Sequence, residues 1–360
     1  DNKFFKGFHV YFTIVFKFSN SNDEAIKFTT YTYRDFNALL NSVGLQLTDS
    51  YKAKLITEYK AKLTDNSIKN NYNKVDILFE GIPDFVLQTI NGKERLEYLE
   101  ALLSCNVKDM KWLLGASWTT NDEFAVLNLF RHLPKDENLN DFLGLLSRKK
   151  IGNKYLLETL FSAIDNKYLI GDDNRKQLMN ELIALFKQTR DYNDYSSQLK
   201  RILDKTEAIT ASDLNSISNS TIAFDYKNIY ERSWMFTKGL FVEVTPYQKL
   251  DAKITLGGLV AVNTYPSFGF RANKTTQNSS KELYAFQPVL VLNKSSLNAF
   301  DGFGETFIAP AIFAYYVEKE TATQTTTDAA IASIDLVSLA MPATYVTKVG
   351  RLLYYADKIS

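Results

Sequence analysis

The chain has 360 residues, with 42 Lys+Arg against 41 Asp+Glu, 2 His, 1 Cys and 15 Gly. A formal charge of +1 supplies no net field toward nucleic acid or an anionic membrane. One cysteine excludes an internal disulfide framework and a Cys-rich zinc site, while 45% apolar and 23% charged residues describe a folded chain.

The length predicts roughly two or three domains of about 150 residues each. Aromatic residues make up 14% of the chain, which suits sheets with large side chains. Residue 1 is Asp rather than Met, no signal-like segment follows, and the sequence stops at Ser360 directly after a helical run. The chain therefore reads as an internal fragment of a longer protein.

Chain order predicts an α+β protein with four regions. Residues 1–48 form a β-hairpin region: Phe8, Val10, Phe12, Ile14, Phe16 and Phe18 alternate with His9, Thr13 and Lys17. A polar turn over Ser19–Asp23 leads to a second strand at Ile26–Tyr33. His9 falls on the polar face, as a surface residue.

Residues 49–209 form a helical domain. Tyr51, Leu55, Ile56, Tyr59 and Leu63 make one stripe behind Thr48 and Asp49. Thr120 and Glu123 read as a capping box before Phe124, Leu127 and Phe130. Three stripes then fit i, i+3, i+4, i+7: Leu139/Phe142/Leu143/Leu146, Leu157/Leu160/Phe161/Ile164 and Met179/Leu182/Ile183/Phe186. Their starts lie 18 and 22 residues apart, one helix plus a short turn, but no signature recurs at a fixed period. An irregular helical bundle or array is the expectation.

Residues 210–308 form a β-rich domain. Strands are expected at Gly239–Thr245, Ala252–Leu256 and Leu259–Thr264, punctuated by Gly257-Gly258. Asn273–Lys281 reads as a long loop. Tyr284–Leu292 reads as an edge strand, or one entering after Pro288. Residues 309–360 turn helical, with helices at Ala311–Lys319, Thr327–Leu339 and Val346–Ile359 around Pro342. The uncharged stretch Leu336–Thr347 is twelve residues, short of the ~20 that a membrane span needs. No stable membrane span is expected.

Each chemical candidate has a simpler structural explanation. Cys105 and His132 could be a nucleophile and base, but no local signature surrounds either, and His132 reads as a helix-end cation before Pro134. Asp172, Asp173 and Asn174 resemble the start of a calcium loop but lack the later ligands, so helix capping explains them better. Asp301 and Glu305, with Gly302 and Gly304, form an acidic turn without a partner acid. Arg148-Lys149-Lys150 reads as the end of a helix before Gly152, and no larger basic surface for nucleic acid is evident. Phosphate-loop, zinc-protease and nucleophile-elbow motifs are missing from the sequence. No catalytic, cofactor-binding or metal-binding residue is assigned. Trp234, Tyr247, Tyr265 and Phe268 could offer stacking faces to a ligand or glycan.

The C-terminal third carries a family resemblance. The runs YAFQPVLVLN (284–293), FIAPAIFAYYVEK (307–319) and DAAIASIDLVSLAMPA (328–343) resemble the region preceding the toxin domain in very large polymorphic toxins of Bacteroidota. LLETLFSAID and GDDNRKQLMNELIALF resemble the helical stretch upstream of that region, so the likeness covers Leu96 to Ser360. The hairpin region lies outside it. The resemblance implies a non-catalytic delivery module of a secreted or surface-delivered protein, which packages or presents a C-terminal effector outside this chain. Its implied partners are neighbouring domains of the same polypeptide, secretion machinery and an immunity protein. The family's catalytic residues belong to the effector, and none is carried over. A ligand- or glycan-binding module and an enzyme with a carboxylate site are the alternatives.

Overall fold

The computed structural model describes residues 10–16, 26–109, 120–164, 174–204, 210, 212–213, 221–224, 251–255, 259–264, 279–293, 306–313 and 315–316. Within them the protein mixes helices with small strand pairings and is mostly helical. The helices are α1 (Tyr33–Ser42), α2 (Asp49–Thr64), α3 (Asn66–Lys69), α4 (Tyr72–Glu80), α5 (Asp84–Leu87) and α6 (Gly92–Asp109). There follow α7 (Thr120–Asn128), α8 (Leu139–Arg148), α9 (Leu156–Ala163), α10 (Asn174–Phe186) and α11 (Arg190–Leu203). Contacts divide the chain into two compact units: Asp1–Asn138 with Lys149–Glu181, and Leu139–Arg148 with Leu182–Ser360.

The first unit opens on the expected hairpin. Strands β1 (Phe12–Phe16) and β2 (Ile26–Thr30) pair antiparallel, with Phe12 opposite Thr30 and Ile14 opposite Phe28. Phe12 is buried because it stacks on Phe36 of α1 at 5.5 Å and meets Tyr33 edge-on at 5.9 Å. Thr32 starts α1 by accepting from the Asp35 amide, and its own hydroxyl donates to the Asp35 carboxylate at 2.8 Å. Tyr33 continues inward onto Phe85 of α5 at 5.4 Å. The hairpin is thus fastened to the helices through one aromatic chain.

Only part of the expected α2 stripe is buried. Tyr59 and Leu63 are covered where α3, α4 and α5 meet α2, whereas Tyr51 at the other end is 59% exposed. Helices α4 and α7 pack most extensively, burying Val75, Leu78 and Phe79 on one and Ala125, Val126 and Leu127 on the other. All of Leu157, Leu160, Phe161 and Ile164 are buried, as the 3.6-residue period requires.

Gly81 gathers three segments after α4. Its carbonyl accepts from the Tyr33 amide and from the Tyr59 hydroxyl, both at 3.3 Å. A Cβ at this position would lie 3.1 Å from the Tyr31 carbonyl oxygen, so the close approach needs glycine. The Tyr98 hydroxyl caps the Leu63 carbonyl at 3.1 Å in the same manner. Burial pushes the Tyr98 hydroxyl up to about 12, helped by Glu94 and Glu97, and burial pushes Tyr59 higher still.

These shifts set an alkaline limit. A phenol whose folded pKa is raised favours the folded state fully below its unfolded value of 10.0, and that contribution is lost as pH rises through the folded value. Urea midpoints are therefore expected to hold to about pH 10 and fall between roughly pH 10 and 12. Tyr59→Phe is expected to lower stability by about 1 kcal/mol at neutral pH and to make the alkaline fall shallower. An equal fall in wild type and variant would show that Tyr59 takes no part in it.

Two residues per strand make the small hairpin β3 (Lys150–Ile151) and β4 (Lys154–Tyr155). Gly152 turns it with a φ of +57°, at the position that a type II′ turn reserves for glycine. This corrects the reading of Arg148-Lys149-Lys150 as one helix end. Arg148 closes α8 by donating to the Gly144 carbonyl, Lys149 pairs with Glu100 at 2.7 Å, and Lys150 is already strand, over the Tyr155 ring.

In the second unit α8 buries Phe142, Leu143 and Leu146, and Leu182, Ile183 and Phe186 of α10 are likewise buried, while Met179, in the part of α10 that belongs to the first unit, is buried as well. Asn140 accepts from the Arg190 amide at 2.8 Å, and Thr189 accepts from the Tyr192 amide at 3.1 Å; together they cap α11. Strands β5 (Thr221–Phe224), β9 (Pro288–Asn293) and β10 (Thr306–Pro310) form a sheet in the order β10-β9-β5. The β5–β9 pair is parallel and the β9–β10 pair antiparallel. A second sheet joins β6 (Asp251–Thr255), β7 (Leu259–Thr264) and β8 (Ser279–Tyr284), all antiparallel.

One sequence expectation changes here, and one of two alternatives is decided. The end of the polar stretch 273–281 is strand, because pairing with the apolar β7 outweighs its composition. Of the two readings of 284–292, the strand that enters at the proline is the one found: β9 begins at Pro288, opposite Pro310, where the missing donor does least harm, and it is central rather than an edge. Beyond β10 the chain folds back onto the β8–β9 turn, with the Ile312 amide donating to the Ala285 carbonyl at 2.8 Å and Phe313 meeting Phe307 edge-on. The expected helices at Thr327–Leu339 and Val346–Ile359 lie outside the described residues.

Candidate functional site

The most concentrated polar chemistry in the first unit surrounds Arg95. Helix α6 begins with a reciprocal cap: Asn91 accepts from the Glu94 amide at 2.9 Å, and Glu94 accepts from the Asn91 amide at 3.0 Å. Glu137 adds a carboxylate to this helix start, accepting from the Gly92 amide at 2.8 Å. One turn on, Arg95 lies on the face shared by Tyr98, Leu99 and Leu102, and like them it is buried.

The guanidinium is met by carbonyls. Nε donates to Ile90 at 2.9 Å; Nη1 donates to Leu129 at 3.1 Å and to Arg131; Nη2 donates to His132 at 2.8 Å and to Leu87. Leu87 ends α5, and Leu129 to His132 follow directly on α7. One cation therefore satisfies the open carbonyl ends of two helices, where a positive charge is favoured by both dipoles. Burial pushes the Arg95 pKa down to about 10, with Glu137 opposing, so the group stays charged at neutral pH.

The two loops held by Arg95 border an open polar cleft of about 400 Å³, lined among others by Lys60, Gln88, Asn91, Asp136, Glu137 and Asn138. Two of its groups, the Asn91 amide oxygen and a Glu137 carboxylate oxygen, are already committed to the α6 N-terminus.

His132 takes a different place from the one expected. Helix α7 ends at Asn128, and His132 follows in the left-handed region at φ +50°, with Nε2 3.5 Å from an Asp84 carboxylate oxygen. The helix-end cation is Arg95 instead. Cys105 belongs to α6, with its side chain outside the described ones. Glu123 is buried and accepts a hydrogen bond from the Asn174 side chain, while the Thr120 side chain expected to join it in a capping box is not described. Asn174 opens α10; Asp172 and Asp173 lie outside the described residues. So do His9, Asp301, Glu305 and the four candidate stacking residues Trp234, Tyr247, Tyr265 and Phe268.

Among the described residues, no helix is long and apolar enough to cross a membrane, and no group of three or more His, Cys, Asp or Glu is placed to hold a metal ion. Two further ion pairs tie elements together: Arg131 reaches Glu181 of α10 at 2.6 Å, and Lys69 of α3 reaches Glu97 of α6 at 2.5 Å. The Lys69 contact holds the Glu97 carboxyl below its ordinary value. Comparison with family models, with curated proteins and with solved structures finds no match to this chain.

Proposed function

We propose that the chain is a non-catalytic structural and delivery module of a larger secreted or surface-delivered bacterial polymorphic toxin. In this reading residues 49–209 are an irregular helical bundle or array, 210–308 a β-rich block, and 309–360 the helical pre-toxin segment that presents a C-terminal effector. The neighbouring domains of the same polypeptide are its partners, with an immunity protein acting on the effector. The toxin context rests on the resemblance of the runs 284–293, 307–319 and 328–343.

The structural role is carried by one observation: the buried guanidinium of Arg95 is committed to its own chain's carbonyls. A buried cation serving a ligand would direct donors into a cleft. This one directs them at helix ends, which stiffens the body. The test is the gene beyond codon 360. The reading expects an open frame into a separate small domain, followed by a small gene whose product neutralises it. A stop codon directly after Ser360 would overturn it.

A further inference from the structure

Among the described residues, exposed apolar side chains concentrate near the start of the chain. Of nine large apolar residues that stand out among the described ones, seven lie between Tyr11 and Tyr51. Tyr11 is 61% and Val15 47% exposed, on the face of β1 opposite to the buried Phe12.

Among the described residues nothing pairs with the outer edge of β1. Its pairing is with β2 alone, in a register that runs without a bulge from Phe12 to Phe16. Folded proteins protect such an edge with a charge, a proline or a bulge. The sequence FTIVF has none of these, whereas β2 carries Lys27.

We propose that β1 is the pairing edge of a homodimer, in which two copies join antiparallel about a twofold axis at Ile14. The segment suits its own reverse. Phe12 falls opposite Phe16 of the second copy, Ile14 opposite Ile14, and Thr13 opposite Val15. Like faces therefore meet on both sides of a four-stranded β2-β1-β1-β2 sheet, and a twofold contact requires this self-complementarity. The uncharged edge offers a charged foreign strand no side-chain ion pair.

A two-strand contact lies below the roughly 1,200 Å² of a stable interface, so a transient dimer forms at about tens to hundreds of micromolar. Sedimentation velocity on the whole chain over that range tests this. Wild type is expected to shift from monomer toward dimer. Val15→Lys is expected to stay monomeric with a melting temperature lowered only slightly, since Val15 is exposed but stands opposite Lys27. Thr13→Glu/Val15→Lys is expected to recover the dimer, because the ammonium introduced on one copy then faces the carboxylate introduced on the other. A wild type that remains monomeric throughout, a Val15→Lys variant that dimerises as well as wild type, or a double variant that stays monomeric would each overturn the proposal.

Discussion

Arg95→Met is expected to destabilise the first unit by about 3–5 kcal/mol, the range for removing a buried charge from partners that depend on it. Methionine fills much of the same volume, so packing is largely kept. The carbonyls of Leu87, Ile90, Leu129, Arg131 and His132 all lose a donor at once. A buried polar group left alone costs roughly 1–3 kcal/mol, and water reaching the outer ones keeps the total below the sum. Arg95→Lys keeps the charge but not the planar fork, and it is expected to recover less than half of the loss. Urea denaturation at neutral pH reads the stability, and hydrogen exchange at residues 88–91 and 129–134 reads where the looseness appears. An Arg95→Met variant within about 0.5 kcal/mol of wild type would mean that the helix ends do not depend on the guanidinium.

Glu123 and Asn174 carry the second large effect. Both are fully buried, the Asn174 amide nitrogen donates to the Glu123 carboxylate, and the amide oxygen of Asn174 has no hydrogen-bond partner. Glu123→Leu leaves that amide buried with neither end satisfied, at an expected cost of about 2–4 kcal/mol. Adding Asn174→Leu removes the stranded group, and the double variant is expected to regain at least ~1 kcal/mol over the single one. A double-mutant cycle on urea midpoints measures this coupling. Additive losses would show that the two side chains act independently.

Periodicity made much of the fold legible. Leu157, Leu160, Phe161 and Ile164 are buried together because helix geometry returns them to one face, and Met179, Leu182, Ile183 and Phe186 follow the same rule. Phe12 is buried at the start of a strand read from alternation alone. What stayed hidden depends on contacts distant in sequence. Ser279–Lys281 reads as loop until β7 lies beside it, and two-residue strands such as β3 and β4 are too short to have a period. The segregation of α8 from the chain on either side of it is likewise a tertiary fact.

The site was legible in one respect only. Arg95, Tyr98, Leu99 and Leu102 share a helix face, and a charge heading an apolar stripe is the kind of residue that must find partners when buried. Those partners are backbone carbonyls, which carry no residue signature, and Leu129, Arg131 and His132 lie more than thirty positions from Arg95. Sequence pattern alone assigns the helix-end role to His132, one of the residues whose carbonyl Arg95 holds.

Among the described residues, Arg95, Arg131, Lys69 and Lys149 hold elements of their own chain together. A bacterial growth assay tests the proposed delivery role most directly, with residues 1–360 expressed alone and any region encoded after codon 360 expressed alone. Residues 1–360 are expected to leave growth unchanged, and a downstream region is expected to arrest growth unless a small gene adjacent to it is co-expressed. Growth arrest by residues 1–360 themselves would contradict it.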